Sequence, residues 1–139
     1  STLGASAVKV QVFAQKEWAK TTQAWWYAWH GQPIHERLLS NFGVAVLSDS
    51  GAPLAFAYIY PAAGSELAWL GFIVRDPFAS ALTAGRALKL LISAAETAAK
   101  RLGYPILYAA TDSPAIKKLL NKRGYQLGSQ VQEYFKELP

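Results

Sequence analysis

A mixed α/β fold, with a mostly antiparallel sheet whose fourth and fifth strands run parallel around a central helix, follows from three stretches of this sequence. Residues 67–74 (LAWLGFIV) are a continuous apolar run of strand length, the pattern of a strand buried on both faces. After Arg75-Asp76-Pro77 and a short loop of small residues over 78–83, the period changes. Ala84, Ala87, Leu88, Leu91, Ile92, Ala95, Ala98, Ala99 and Leu102 recur at helical spacing, with Arg86, Lys89, Glu96 and Lys100 on the wet side. Gly103 is placed to end this helix, and Lys100 and Arg101 in its last turn suit the dipole. A second apolar run, 105–110 (PILYAA), then supplies a strand; a strand–helix–strand unit of this length crosses over right-handed to a parallel neighbour. The start of the helix offers orphan N–H groups and a favourable dipole to an anion such as a phosphate.

The remaining elements fall into place in chain order. Residues 7–14 (AVKVQVFA) alternate as a strand does. Residues 16–30 read as a helix carrying Trp18, Trp25, Trp26, Tyr27 and Trp29, broken by Gly31-Gln32-Pro33, with a second short helix over 34–40. Trp18, Trp25 and Trp29 share one face and Trp26 lies beside it, and four tryptophans exceed what one helix face can bury. Two apolar runs, 42–48 and 54–61, are joined by Asp49-Ser50-Gly51-Ala52-Pro53, whose turn chemistry makes the pair an antiparallel hairpin. Residues 62–65 form a second small-residue turn into the strand at 67, extending the sheet to a meander. Thr111-Asp112-Ser113-Pro114 reads as a helix start with an Asp or Ser cap and Pro in the first turn. That helix runs over 115–122 to Gly124, and residues 125–127 and 131–138 read as two closing strands.

Composition bounds the function. The chain has 139 residues, 52% apolar and 13% aromatic, which is a folded chain of one domain, 1–139, with a real core. The absence of cysteine excludes disulfides and thiolate chemistry and fits a cytoplasmic protein. No apolar run reaches membrane-spanning length, and the beginning lacks a signal-peptide layout. Net charge is +5, and between Arg75 and Arg123 nine Lys/Arg stand against three acids, Asp76, Glu96 and Asp112. The positive excess therefore surrounds the central helix, where a phosphorylated cofactor or a nucleic acid would meet it, or where it is simply a solvated surface. His30, His35 and Glu36 straddle a Gly-Pro break and do not make a metal site.

The second half of the chain resembles the GNAT superfamily of N-acetyltransferases, which transfer an acetyl group from acetyl-CoA to an amine. That family places a Q/R-x-x-G-x-G/A loop between its fourth strand and the next helix, with a Pro three residues ahead. Here the window is Ser80-Ala81-Leu82-Thr83-Ala84-Gly85, preceded by Pro77 and followed by Arg86-Ala87-Leu88. Ser80 stands where the family has Gln or Arg, and Thr83 where it has the first Gly. The family's second signature is similar to Asp112-Ser113-Pro114-Ala115, Leu119 or Leu120, then Gly124-Tyr125, with Asp112 in place of Asn and Leu in place of a Tyr. The closing YFKEL is similar to the family's last strand.

The resemblance implies a GNAT-like fold and acetyl-CoA as cosubstrate. It implies a pyrophosphate site over Ser80, Ala81, Leu82, Thr83, Ala84, Gly85 and Arg86, with Asp112 and Lys118 nearby. The pantetheine arm would lie along Phe72, Ile73 and Val74, and the acceptor pocket would include Trp26, Tyr27 and His30. Candidate catalytic groups are Glu66 as a base, directly or through water, and Tyr108 as the acid that protonates the thiolate; the plainer readings, which weigh more, are a solvated turn carboxylate for Glu66 and a core or sheet-face aromatic for Tyr108. The function this implies is N-acetylation of an amine on a small molecule or protein. The alternatives from the same residues are a GNAT-fold module that binds CoA or a protein without catalysis, and a basic nucleic-acid-binding module.

Overall fold

The computed structural model describes residues 8–139. Its elements, in chain order, are β1 (Val8–Phe13), α1 (Ala19–His30), a 3-10 turn (Glu36–Leu38), β2 (Gly43–Ser48), β3 (Pro53–Pro61), β4 (Leu67–Arg75), α2 (Ala81–Arg101), β5 (Ile106–Ala109) and α3 (Pro114–Lys122). The five strands form one sheet in sequential order, antiparallel from β1 to β4, with β5 parallel to β4. The expected mixed sheet with a parallel fourth and fifth strand around a central helix is therefore present. Among the described residues no helix is long and apolar enough to cross a membrane. The expected first strand keeps its place, but Ala7 lies outside the described residues.

Two apolar layers sandwich the sheet. On one face α2 and α3 bury Ala87, Leu91, Ile92, Ala95, Ile116 and Leu120 against Val44, Val46, Ala57, Ile59, Ala68 and Leu70. Each fully buried side chain of the size of Leu91 or Ile92 contributes roughly 1.5–3 kcal/mol. On the other face α1 and the 3-10 turn cover Phe13, Ala45, Phe56, Tyr58 and Val74. Trp18 and Trp25 both lie on Phe56, at 5.2 and 4.9 Å between ring centroids, so core packing takes these two rings.

Four expectations are corrected. α1 begins at Ala19, three residues late, because Trp18 turns its indole back to donate to Gln11 Oε1 at 2.9 Å and lies on Phe56. The helix expected over 34–40 shrinks to the 3-10 turn, in which His35 Nδ1 accepts from Arg37 N and both Ile34 and Leu39 are buried beneath it. The loop expected over 78–83 is shorter, since α2 already starts at Ala81: Ser80 is its N-cap and accepts from Thr83 N at 3.2 Å. The two closing strands are absent. Residues 125–139 carry no regular element, and Leu127, Val131, Tyr134, Phe135 and Leu138 are all exposed, so the alternation over 131–138 buries neither face.

Candidate cofactor and acceptor site

The site is built where β4 and β5 part company. β5 pairs with β4 only from Leu67↔Ile106 to Leu70↔Ala109, while β4 continues to Arg75. Beyond Leu70 the side of β4 turned towards β5 has no strand partner among the described residues. A bulge makes the divergence. Tyr58 pairs with Gly71 and Phe56 with Val74, so Phe72 and Ile73 together oppose Ala57. Phe72 takes a φ of +48°, a left-handed conformation that a bulky residue adopts only at a cost of about 1–2 kcal/mol.

This bulge also changes which way the side chains face. Leu70 and Ile73 pack with the α2 layer, whereas Phe72 and Val74 belong with the α1 layer. Gly71, between Leu70 and Phe72, is on the α1 side too: a Cβ there would meet Trp69 Nε1 at 3.1 Å and Tyr60 Cε1 at 3.5 Å. Two consecutive residues thus face α1, and the second is aromatic. Trp26 of α1 meets the Phe72 ring edge-on at 5.3 Å and holds His30 at 4.1 Å. Trp29 donates from Nε1 to Arg75 O at 2.9 Å, and the Arg75 guanidinium lies 4.4 Å from its ring centroid. This pins the end of α1 to the end of β4. Asp76 N already donates to Leu54 O across β3, so strand alternation turns the Arg75 carbonyl to the open edge.

α2 starts beside that edge. Asp76 Oδ1 accepts from Phe78 N at 2.9 Å and tightens the turn leading to Ser80. Ser80 Oγ takes Thr83 N, and Ser80 O takes Ala84 N, so the N–H groups left without a partner among the described residues are those of Ala81 and Leu82. Gly85 and Arg86 lie within the helix and are exposed, and nothing stands within 4 Å of a Cβ placed on Gly85. Lys118, on α3, is exposed as well. The cap expected at Asp112 or Ser113 is Ser113, whose Oγ accepts from Ile116 N; Asp112 is exposed beside it.

The acid–base candidates are spread more widely. Tyr108 is on β5, stacked on Trp69 at 4.7 Å and 41% exposed, one residue before the strands separate. Glu66 sits at the other end of β4, where its carbonyl accepts from Ile106 N. Five residues of strand, about 16 Å, separate it from Gly71. The structure thus does not bring Glu66 to the open edge. Tyr27 is 59% exposed and His30 is exposed, His30 touching the site through Trp26. Two open grooves, about 530 Å³ beside Lys100 and Tyr104 and about 490 Å³ between Val12 and Leu102, lie at the far end of α2.

Solved structures share this architecture. A protein described as a probable acetyltransferase superposes with a TM-score of 0.68 at 15% identity, covering 94% of this chain and 98% of that one. An aminoglycoside acetyltransferase from an uncultured soil metagenomic sample, solved with sisomicin, gives 0.67 at 16% identity over 97% and 99%. The chain has a GNAT-like fold. An acetyltransferase of Trypanosoma brucei matches at 0.61 and 12% identity over 93% and 99%. No protein-family model matches the sequence, and no curated protein matches it significantly.

Within the GNAT-like fold, sequence reasoning missed Tyr60 and Trp69. Tyr60, Trp69 and Tyr108 are successive register partners across β3, β4 and β5 and form one cross-strand row. Each lies at an unremarkable position in its own strand, so only the strand register aligns them.

Proposed function

We propose that the chain is an N-acyltransferase, a single acyltransferase domain over 1–139, that moves an acetyl group from acetyl-CoA to an amine. The observation that carries this reading is the unpaired edge of β4 beyond Leu70 running alongside the start of α2, in a fold shared with acetyltransferases. The free N–H groups of Ala81 and Leu82 at the positive end of a 21-residue helix suit a pyrophosphate, with Arg86 and Lys118 adding charge. The bare main chain of Phe72, Ile73 and Val74 suits the amides of a pantetheine arm. Acetyl-CoA brings an activated thioester; the chain's contribution is to hold it against the amine. The amine nitrogen bonds the thioester carbonyl carbon and the C–S bond breaks. The departing thiolate takes a proton from Tyr108 Oη or from water, and the nitrogen loses one to water. Glu66, about 16 Å along β4 from Gly71, would serve in that last task only through intervening water.

A second reading, a module that binds CoA without turnover, is favoured by one detail: Ser80 Oγ already occupies the Thr83 N–H that a phosphate would use. Two experiments separate them. Calorimetric titration of CoA onto wild type and Gly85→Glu tests the site, since open space around Gly85 lets the new carboxylate fold in place and repel phosphate. Affinity is expected to fall by at least about tenfold; equal affinity in both, or no binding by wild type at millimolar CoA, refutes the reading. Tyr108→Phe then tests the acid. A rate loss of about a hundredfold to ten-thousandfold assigns the proton to Tyr108, and an unchanged rate assigns it to solvent. Binding with no acetyl transfer to any of a panel of amines supports the module instead.

A further inference from the structure

We propose that the acceptor amine carries a flat, apolar ring system, an arylalkylamine in chemical class, and that it binds on the aromatic shelf formed by Tyr108, Trp69, Tyr60, Phe72 and Trp26. These rings are contiguous. Tyr108 stacks on Trp69, Trp69 and Tyr60 close over Gly71, Tyr60 lies 6.4 Å from Phe72, and Phe72 meets Trp26. None of the five is fully buried, and Tyr108 is 41% exposed, so the row keeps solvent-accessible aromatic surface even though Tyr108 and Trp69 cover one face of each other. The shelf lies against the open edge of β4, the place where the thioester would end. Among the described residues Trp69 Nε1 and Tyr108 Oη make no hydrogen bond, so polar atoms are on hand to orient a ligand within an otherwise apolar surface.

The charges argue against a polycation. Tyr60 Oη donates to Leu38 O at 2.8 Å and accepts from Ser40 N, which places the Glu36–Leu38 turn at the edge of the shelf. Of the two carboxylates at this turn, Glu137 is already shared by Arg37 at 3.1 Å and His35 at 3.5 Å, which leaves the exposed Glu36 as the one without a salt bridge among the described residues. At the other end stands Arg75, and the whole chain carries +5. A single ammonium is tolerated by aromatic faces, but several need carboxylates to offset them. The shelf offers stacking and, at its edge, one free carboxylate, Glu36, enough for a single ammonium and not for several.

The purpose of the amine rests on the acetyl-transfer reading; its binding does not. The test is calorimetric titration of tryptamine, spermidine and sisomicin, each with and without CoA, onto wild type, Trp69→Leu and Tyr108→Leu. Tryptamine is expected to bind at least about tenfold more tightly than either polycation, and each substitution to weaken tryptamine by about tenfold while sparing spermidine. Thermal unfolding identifies any variant that fails to fold, and the other then carries the test. Tighter binding of spermidine or sisomicin, no tryptamine binding at millimolar concentration, or unchanged tryptamine affinity in a folded variant overturns the assignment. CoA binding without tryptamine binding sinks the acceptor class and spares the transferase reading; tryptamine binding without CoA binding does the reverse.

Discussion

Thr22 and Tyr58 are the polar centre of an otherwise apolar layer. Their hydroxyls lie 2.6 Å apart and both residues are fully buried. Burial pushes the Tyr58 phenol above its ordinary value, with the Thr22 hydrogen bond pulling slightly the other way, so the pair stays neutral through the physiological range. Tyr58→Phe leaves the Thr22 hydroxyl buried and without this partner, which costs about 1–3 kcal/mol. Removing both groups, in the Thr22→Val and Tyr58→Phe double variant, recovers most of that loss, because no orphaned polar atom remains. Urea unfolding of the two single variants and the double variant checks this, and equal losses for the double and for the sum of the singles would show the hydroxyls uncoupled.

The elements show what a sequence can and cannot disclose. The strand at β4, the hairpin of β2 and β3 and the crossover to β5 were legible because apolar periodicity and turn residues are local signals. The start of α2 was not, because Ala81, Leu82 and Thr83 are exposed and carry no apolar period; only the Ser80 cap marks it. Ser80→Ala is therefore expected to destabilise by about 1 kcal/mol. Gly85→Ala, inside the helix with nothing within 4 Å of the new Cβ, is expected to stabilise by roughly 0.5–1 kcal/mol. Thermal melts of both variants test the placement of the helix start, and a neutral Ser80→Ala would deny the cap. The terminal segment 131–138 misled in the opposite direction, since alternation describes a strand only when another strand accepts it. The aromatic shelf was illegible for a deeper reason. It depends on the register of three strands and on the left-handed turn at Phe72, neither of which leaves a mark in the order of residues.

At the scale of the molecule, α3 is tied back to α2 by Glu96, which accepts from Arg123 Nε at 3.0 Å, pairs with Arg123 Nη2 and accepts from Tyr125 Oη at 2.8 Å. The Arg123 hydrogen bond holds the Glu96 carboxyl below its ordinary value near 4.5, against a smaller opposing effect of burial. A carboxylate with a lowered native pKa contributes stability above its unfolded value and loses it as pH falls through the native one. The stability gap between wild type and Arg123→Ala should therefore be full at pH 7 and shrink as pH falls below about 4.5; a gap unchanged at pH 3, by urea midpoints, would contradict the linkage. The sequential strand order has a consequence in time. β2, β3 and β4 are joined by short turns, so their contacts close short loops, whereas β1 reaches β2 only across α1 and β5 reaches β4 only after the whole of α2 has been traversed. Loop-closure entropy then favours the meander as the nucleus and the docking of α2 and β5 as the late event. Phe56→Leu in β3 is expected to slow refolding, and Leu107→Ala in β5 to act chiefly by speeding unfolding, in stopped-flow measurements. The β4 edge that would receive the cofactor thus forms early, while α2 and β5, the two elements that turn it into a site, are on this account added late and lost early.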